Sequence, residues 1–351
     1  MTLLTDDEYG ERVPTLLADY EALGRIPAWR PYLMFFHAPA FRSASVNTDA
    51  EGFRLGRFPD GRVASVASAA DEPCSLLVGN SVSFGVGASS DDATVAARLS
   101  ARTGTLWHNF GGRAYGGLQE WLLFHGYADR IGPIDRVVLF SGLNDLILHY
   151  VPRDADPVFG VAFYGNRFRT AMNAQTGPRA EDASGRVLAR ALGRRVTDRV
   201  TRRAAPPQPP GDVEADVRAR EPSREAIVAR LERQLGVWKA VADARGFRLA
   251  YVLQPLWPWL TRTAPPVEQE SVRAYDGRSR WHALVRAVID EEHRAWYVPR
   301  LEAICVRLGI PFTDLGAVLS EQADDGSWLF LDRIHLTDRG QNRAAELIAG
   351  L

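Results

Sequence analysis

The sequence predicts an α/β protein of three layers, in which helices cover both faces of a central, mostly parallel sheet. Short apolar runs with the length of buried strands recur from residue 75 onward, and amphipathic stretches with helical spacing separate them. Strands that alternate with helices pair in parallel, because each helix carries the chain back across a face of the sheet. The carboxyl ends of such strands share one edge, where open α/β sheets bind their ligands.

Composition is that of an ordinary globular protein. The chain has 351 residues, of which 46% are apolar and 24% charged, and its formal net charge of −1 gives no reason to expect a nucleic acid partner. It contains no 18-residue apolar run, and its acidic start does not resemble a signal peptide, so we expect a cytoplasmic protein without membrane contact. Cys74 and Cys305 are too few for a disulfide scaffold and are expected as buried thiols.

The alternation of elements begins at residue 75 and ends with a helix that Thr337 is placed to cap. Residues 267–308 have the spacing of one or two amphipathic helices, and Pro299 is expected to break them or to begin a new one. The other elements are expected as strands at 75–79, 105–109, 136–141, 247–254 and 310–315, and as helices at 93–102, 118–127, 223–245 and 338–350.

Two regions depart from this alternation. Residues 1–70 are predicted to be an N-terminal extension packed on the main domain, residues 71–351, with a helix at 11–24 that Gly24 would end. Aromatic side chains of this extension either line a substrate cleft or, the more common case, pack in the core. Residues 150–222 are predicted to be a helical, proline-rich insertion. Its basic helix either recruits an anionic surface or substrate or, more commonly, is a solvated helix beside a flexible linker.

A serine directly follows the first predicted strand. The stretch 76–87 starts as an apolar run and passes through Gly79 and Asn80 to Ser81, which places a hydroxyl just beyond the carboxyl end of a buried strand. Serines at such positions are usually turn or capping residues. Ser81 becomes a candidate nucleophile only if a base, an orienting acid and oxyanion donors occur elsewhere in the chain.

Asp332 and His335 provide the acid and the base. Their spacing allows the carboxylate to accept the Nδ1 proton of the imidazole, which leaves Nε2 free to take the serine proton. Taken alone, His335 is more often a loop histidine with Asp332 as its structural partner. Together with Ser81, the pair predicts a catalytic triad.

Two loops that follow predicted strands offer donors for an oxyanion. In the glycine-rich stretch 109–116, the backbone N–H of Gly112 or of Ala114 could face a developing negative charge. Asn144 carries a side-chain amide after the third predicted strand, although Asn144 and Asp145 could simply close a turn.

Two tryptophans follow the predicted strand 247–254, at the sheet edge where Ser81 is expected. Trp257 and Trp259 either wall a substrate pocket or pack structurally. The histidines other than His335 show no paired spacing of metal ligands, and the stretch after Gly79 lacks the Lys-Ser/Thr ending of a phosphate-binding loop. No metal and no cofactor is therefore expected.

Taken in their order along the chain, the motifs around Ser81, Asn144 and His335 resemble those of the SGNH (GDSL-like) hydrolases. This family is named for Ser, Gly, Asn and His in four sequence blocks. The first, third and last blocks are matched by Gly79-Asn80-Ser81, Gly142–Asp145 and Asp332–His335. Two positions differ, because Asn80 replaces the usual aspartate and Ala114 aligns with the glycine of the second block. An alanine can offer the same backbone N–H if its φ and ψ are ordinary.

The resemblance implies a flavodoxin-like SGNH hydrolase fold and a serine esterase or O-deacylase that needs no cofactor. Ser81 would be the nucleophile, His335 the base and Asp332 the orienting acid. The substrate would be a small-molecule O-acyl ester, most commonly an acetyl ester of a carbohydrate or natural product. An O-acyltransferase with the same serine and a non-catalytic binding protein are the alternatives, and the oligomeric state stays open. The oxyanion hole would comprise Ser81, Asn144 and either Ala114 or Gly112.

Overall fold

The structure, a computed structural model, describes residues 3–69, 71–150, 224–276, 278, 280–322 and 326–351, together with isolated positions between 167 and 217. Its strands are β1 (Ala28–Arg30), β2 (Met34–Phe36), β3 (Gly56–Arg57), β4 (Val63–Ala64), β5 (Cys74–Gly79), β6 (Leu106–Gly111), β7 (Ile134–Ser141), β8 (Arg248–Leu253) and β9 (Phe312–Asp314). Its α-helices are α1 (Asp6–Arg25), α2 (Ser81–Phe84), α3 (Val95–Thr103), α4 (Gly117–Tyr127), α5 (Leu143–Ile147), α6 (Arg224–Arg245), α7 (Pro266–Asp276), α8 (Arg280–Val288), α9 (Glu291–Leu308), α10 (Leu315–Gln322) and α11 (Asp338–Ala349).

Strands β5 to β9 form one parallel sheet in the order β6-β5-β7-β8-β9. Numbered from β5, this order is 2-1-3-4-5, the strand order of flavodoxin-like folds. Every residue of β5 is buried, as expected for a central strand that helices cover on both sides. The five predicted strands are confirmed to within a few residues, and the last of them lies at the sheet edge as β9.

Helices cover both faces of this sheet. Helices α3 and α11 pack against each other, whereas α6 packs against α4 and α9. Right-handed crossovers explain why these helices form two groups on opposite faces of the sheet. The chain moves across the sheet in one direction from β5 to β6 and in the other direction from β6 towards β9. The predicted three-layer α/β/α class is therefore confirmed.

The helix predicted at 11–24 is longer than expected at both ends. Helix α1 begins after Thr5, whose side chain and that of Glu8 form a reciprocal capping box. Gly24 lies inside the last turn, so the prediction that it ends the helix is wrong. A Cβ at Gly24 would lie 3.2 Å from the guanidinium of Arg113, which indicates that this glycine makes room for a side chain from the 112–115 loop.

Residues 267–308 hold three helices, α7, α8 and α9, rather than one or two. Pro299 lies inside α9, so the prediction that it marks a break is wrong. The break falls at Asp290, whose carboxylate accepts the His293 N–H and caps α9. Helix α9 continues through the proline because Tyr297 and Leu301, on either side of it, are both buried in the core.

The two cysteines are buried and free, as predicted. Among the described residues, no helix combines the length and apolarity needed to span a membrane. The predicted insertion at 150–222 lies outside the described residues, apart from Tyr150 and isolated positions.

Candidate active site

The turn from β5 into α2 holds Ser81 at the first position of a helix. Gly79 ends the strand where a Cβ would lie 2.2 Å from the Phe140 carbonyl oxygen, so a larger residue would separate β5 from β7. Asn80 caps α2 by accepting the Val82 N–H at 3.0 Å. The Asn80 amide also donates to Oε1 of the buried Gln254 at 2.5 Å, a bond that an ionised aspartate could not donate. Asparagine at position 80 thus ties this turn to the end of β8.

His335 joins Ser81 to Asp332. Its Nε2 lies 2.9 Å from the Ser81 Oγ, and its Nδ1 lies 2.7 Å from Oδ2 of Asp332. The other carboxylate oxygen of Asp332 accepts the backbone N–H groups of Ile334 and His335, each at 2.7 Å. The three residues predicted from distant parts of the sequence are therefore in hydrogen-bond contact.

The environment of Asp332 favours its ionised form. Burial raises the pKa of this carboxyl, but the charge and hydrogen bonds of His335 and the Ile334 N–H outweigh burial and hold the pKa below its usual value. An imidazole whose Nδ1–H is held by a carboxylate keeps Nε2 available as an acceptor. The arrangement can therefore take the proton of the serine hydroxyl.

A narrow loop carries Asp332 and His335. The Leu331 N–H donates to the His335 carbonyl at 2.8 Å, and the Thr337 N–H donates to the Leu329 carbonyl at 3.0 Å. Thr337 then caps α11 by accepting the Gly340 N–H, as predicted. These bonds close the base of the loop, so the relative positions of the carboxylate and the imidazole follow from its backbone.

The two predicted oxyanion donors in the loop after β6, Gly112 and Ala114, differ in the hydrogen bonding of their backbone N–H groups. The Gly112 N–H already donates to the Gly79 carbonyl at 2.8 Å. The Ala114 N–H, by contrast, has no hydrogen-bond acceptor within the part of the chain that the structure describes, and the same holds for the N–H of Ser81. The available backbone donors are thus those of Ser81 and Ala114.

Ala114 does not have an ordinary backbone conformation. Its φ is +63°, in the left-handed region, where an L-residue costs about 1–2 kcal/mol relative to the right-handed one. The condition of ordinary φ and ψ is therefore not met at this position, but the backbone N–H keeps no acceptor among the described residues in the conformation that Ala114 adopts. Strained residues persist where their neighbours are firmly held, and such residues are frequent at functional sites.

Arg113 is the neighbour that holds this loop. Its backbone N–H donates to Nε2 of His37 at 3.2 Å, and its guanidinium donates to the Tyr20 carbonyl at 3.0 Å. Burial lowers the pKa of His37 to about 3, with Arg113 contributing further, so this imidazole is neutral and can accept at Nε2. Sequence analysis did not single out His37, because one histidine after a short strand carries no pattern.

Asn144 links the third loop to the second. It lies at the start of α5, and its Nδ2 donates to the Tyr115 carbonyl at 2.7 Å, which leaves one amide hydrogen. The neighbouring Asp145 accepts the Gly117 N–H at 3.0 Å. Both side chains thus bind the 115–117 segment, which exceeds what closing a local turn would require.

A pair of buried carboxyl groups lies under these loops. Glu120 accepts a hydrogen bond from the Ser141 hydroxyl at 2.5 Å, and Asp145 is its charged neighbour. Burial raises the pKa of Glu120 well above its usual range, and repulsion from Asp145 adds to that effect. Burial likewise raises the pKa of Asp145. Sequence analysis missed Glu120 because it occupies an ordinary helical position.

The two predicted pocket tryptophans lie in different environments. Trp257 is half-buried and lines a cavity of about 420 Å³ together with Arg262 and Glu268. Trp259 is buried, and its indole N–H donates to the Ile289 carbonyl at 3.0 Å. The two residues share a 3₁₀ turn, whose successive side chains point about 120° apart. Trp259 therefore packs in the core, which corrects its predicted place on a pocket wall.

Side chains from the N-terminal segment hold the turn that follows Ser81. The hydroxyl of Tyr9 donates to the Gly87 carbonyl, and that of Tyr20 donates to the Gly85 carbonyl, each at 2.6 Å. The buried Arg54 donates to the carbonyls of residues 84 and 85. No sequence signal reveals these contacts, because the acceptors are backbone atoms.

Together, the sheet and the three loops define a Ser–His–Asp arrangement at the carboxyl edge of a flavodoxin-like α/β/α fold. Within the described ranges, no three His, Cys, Asp or Glu side chains gather as a metal ion would require. No protein-family model matches the chain, and no curated protein matches its sequence.

The solved structures that are similar to the chain, all at low identity, include the following three. The acetyl xylan esterase AlAXEase is 10% identical with a TM-score of 0.37, covering 79% of this chain and 98% of that one. A lipase/acylhydrolase from Enterococcus faecalis is 11% identical with a TM-score of 0.36, covering 80% and 94%. Axe2, an acetylxylan esterase from Geobacillus stearothermophilus, is 11% identical with a TM-score of 0.36, covering 81% and 97%. At such values, function has to be inferred from the residues of the site.

Proposed function

We propose that the protein is a serine esterase of the SGNH (GDSL-like) type that removes a small acyl group through an acyl-serine intermediate. The observation that carries the proposal is the contact of 2.9 Å between Nε2 of His335 and the Oγ of Ser81, with Asp332 bound to the opposite nitrogen of the same ring. A hydroxyl alone is a weak nucleophile at neutral pH, and an adjacent oriented base makes it reactive.

The first half of the reaction forms the acyl-enzyme. His335 takes the Ser81 proton at Nε2 as the Oγ attacks the ester carbonyl, and Asp332 stabilises the imidazolium that results. When the tetrahedral intermediate collapses, the imidazolium returns a proton to the departing alkoxide oxygen. The alcohol leaves, and the acyl group stays bound to Ser81.

The oxyanion of the intermediate is stabilised by three donors. These are the N–H of Ser81, the N–H of Ala114 and the remaining amide hydrogen of Asn144. The two backbone groups have no acceptor among the described residues, and the Tyr115 carbonyl orients the Asn144 amide at 2.7 Å. A donor of this kind contributes about 2.7–4 kcal/mol to transition-state stabilisation. Gly112 is not among them, because its N–H is bound to the Gly79 carbonyl.

The second half of the reaction releases the acid. Water takes the place of the alcohol, His335 removes its proton, and the hydroxyl oxygen attacks the acyl carbonyl. The acyl–Oγ bond then breaks, and the Ser81 Oγ takes the proton from His335. The substrate that we propose is a small O-acyl ester, most commonly an acetyl ester, of a carbohydrate or natural-product alcohol, as the resemblance to the SGNH hydrolases implies.

Labelling with a serine-directed fluorophosphonate tests the nucleophile. We expect one adduct, located on Ser81 by peptide mass spectrometry, and no labelling of Ser81→Ala. Ser90→Ala is a matched control, because the Ser90 side chain is half-buried and makes no capping hydrogen bond. A wild-type protein that reacts at another serine, or not at all, would refute the proposal and would leave a binding protein as the alternative.

The acyl acceptor is tested separately. The enzyme is incubated with an aryl acetate and with acetylated sugars, in the absence and presence of an added alcohol. A hydrolase releases free acetate at the same rate in both cases, whereas an acyltransferase transfers the acetyl group to the alcohol in preference to water. Mass spectrometry of the products distinguishes the two activities.

A further inference from the structure

Helix α7 contacts the loop that carries the proposed acid and base along one side. Glu268 and Ser271, three positions apart, share one face of this helix, and Asp276 is its last residue. The Ser271 hydroxyl donates to the Leu331 carbonyl at 2.6 Å, and Asp276 accepts two bonds from Arg333 at 2.6 and 2.8 Å. The loop is therefore held from outside as well as by its own backbone.

Glu268 makes the most contacts of the three. Its side chain is fully buried, and its Oε2 accepts the N–H of Leu329 at 2.6 Å and that of Phe330 at 3.2 Å. Phe330 also pairs with Leu336 across the base of the loop. The carboxylate thus binds the segment that enters the loop, ending two residues before Asp332.

The same carboxylate reaches the middle of the loop through Trp257. Oε1 of Glu268 accepts the Trp257 indole N–H at 2.9 Å, and the Trp257 backbone N–H donates to the Arg333 carbonyl at 3.0 Å. Arg333 lies between Asp332 and His335. Glu268 is therefore connected to the loop at its entrance and at its tip.

A buried arginine provides the counter-charge. Arg262 donates to both oxygens of Glu268, and its side chain is 4% exposed. A buried pair of this kind gives little net stability compared with an apolar pair, but removal of one partner leaves the other charge uncompensated. The structural effect of the pair is to fix the carboxylate that accepts the backbone N–H groups of Leu329 and Phe330.

We propose that Glu268 is a positioning residue for the Asp332–His335 pair in the proposed reaction. It does not touch Ser81 or the reacting atoms, and it acts by fixing where the loop places the imidazole. Displacement of a catalytic group by about 1 Å costs on the order of 100-fold in rate. Loss of Glu268 should therefore lower kcat without a corresponding change in KM.

The test compares Glu268→Gln with Glu270→Gln, which removes an exposed carboxylate from the same helix. The first readout is steady-state hydrolysis of an aryl acetate. The second is the far-downfield proton resonance of the His335 Nδ1–H, assigned by its loss in Asp332→Asn. We expect kcat to fall about 10- to 100-fold in Glu268→Gln with KM within about threefold, and the resonance to shift or broaden. Glu270→Gln should match the wild type in both.

The resonance keeps this proposal separate from the proposed function, on which it rests. If the wild type hydrolyses no ester, a resonance that is displaced in Glu268→Gln still supports the positioning role. A folded Glu268→Gln with wild-type resonance and kcat would overturn it. If Glu268→Gln does not fold, Glu268→Asp decides, because it keeps the charge beside Arg262 and shortens only the reach. A wild-type resonance and kcat in Glu268→Asp would also overturn the proposal.

Discussion

His335 Nε2 and Ser81 Oγ lie 2.9 Å apart although 254 positions separate the two residues in the sequence. Ser81 follows β5, and His335 precedes the last helix, α11, which packs on α3. The contact exists because the sheet order places β5 beside β6, so that α3 and α11 share the face next to the Ser81 turn. Long-range topology, rather than local sequence, thus creates the proposed reactive pair.

Replacement of either member of this pair should remove nearly all activity. We expect Ser81→Ala and His335→Ala each to lower kcat for an aryl acetate by about 10³-fold or more, and the double variant to be no worse than the more severe single one. The residues act as a unit, so the second loss has little left to remove. Thermal unfolding of each variant should show a folded protein. Multiplicative losses in the double variant would contradict a shared role.

The proposed oxyanion donors should respond differently to substitution. Asn144→Ala removes a side-chain donor and should lower kcat by about 10²–10³-fold. Ala114→Gly keeps the backbone N–H and relieves the left-handed strain, a gain of about 1–2 kcal/mol that the greater freedom of unfolded glycine offsets by about 0.5–1 kcal/mol. We therefore expect near wild-type kcat and a slightly higher melting temperature for Ala114→Gly. A large loss of kcat in this folded variant would exclude the backbone N–H role.

Asp332 should stabilise the fold except in acid. The folded protein holds the pKa of this carboxyl below its usual value, so the stabilisation is present above about pH 4 and is lost as the pH falls through the lower folded pKa. Asp332→Asn should lower the free energy of unfolding by about 2 kcal/mol at pH 7, because charge-assisted bonds to two N–H groups are lost. Denaturant titrations should show this difference shrinking below about pH 4, and an undiminished difference at pH 2 would contradict the assignment. The variant should also lose about 10⁴-fold in kcat, since the imidazole is no longer held in the right tautomer.

Glu120 should have the opposite effect on stability. Burial raises its pKa in the folded protein, so the folded state keeps a proton that the unfolded chain releases above about pH 4.3. Stability is then lost as the pH rises towards the folded pKa, by about 1.4 kcal/mol per pH unit for one proton. Glu120→Gln should remove this loss, so its free energy of unfolding in urea titrations should increase relative to that of the wild type as the pH rises above about 4.3. Glu270→Gln is the control, and a pH-independent difference between Glu120→Gln and wild type would count against a raised pKa.

The sheet could be predicted from the sequence because its central strands are continuous apolar runs separated by amphipathic helices. The contact of Ser81, His335 and Asp332 could be predicted because a serine after a strand and a carboxylate three residues before an imidazole are distinctive patterns in a recognisable order. The choice between Gly112 and Ala114 could not be made, since it depends on which N–H the Gly79 carbonyl already binds. Backbone hydrogen bonds of loops leave no trace in residue types.

The supporting side chains were missed for a related physical reason. From the sequence alone, Glu268 would be expected as a solvent-exposed helix residue. Only the structure shows that its carboxylate is buried and accepts two backbone N–H groups. Its place after β8 could not decide whether Trp259 walls a pocket or packs structurally, because it is the 3₁₀ turn that rotates this side chain into the core. Pro299 is a helix breaker by propensity, which the packing of α9 overrides.

The tyrosine hydroxyls of α1 that bind the carbonyls after Ser81 have a consequence for protein engineering. A truncated version that starts at residue 71 would keep Ser81, Asp332 and His335, yet it would lose Tyr9, Tyr20, His37 and Arg54 at once. Residues 3–69 therefore cannot be exchanged as a detachable module. Chimaeras with other proteins of this fold should keep residues 3–69 together with the sheet and with the loop that carries Asp332 and His335.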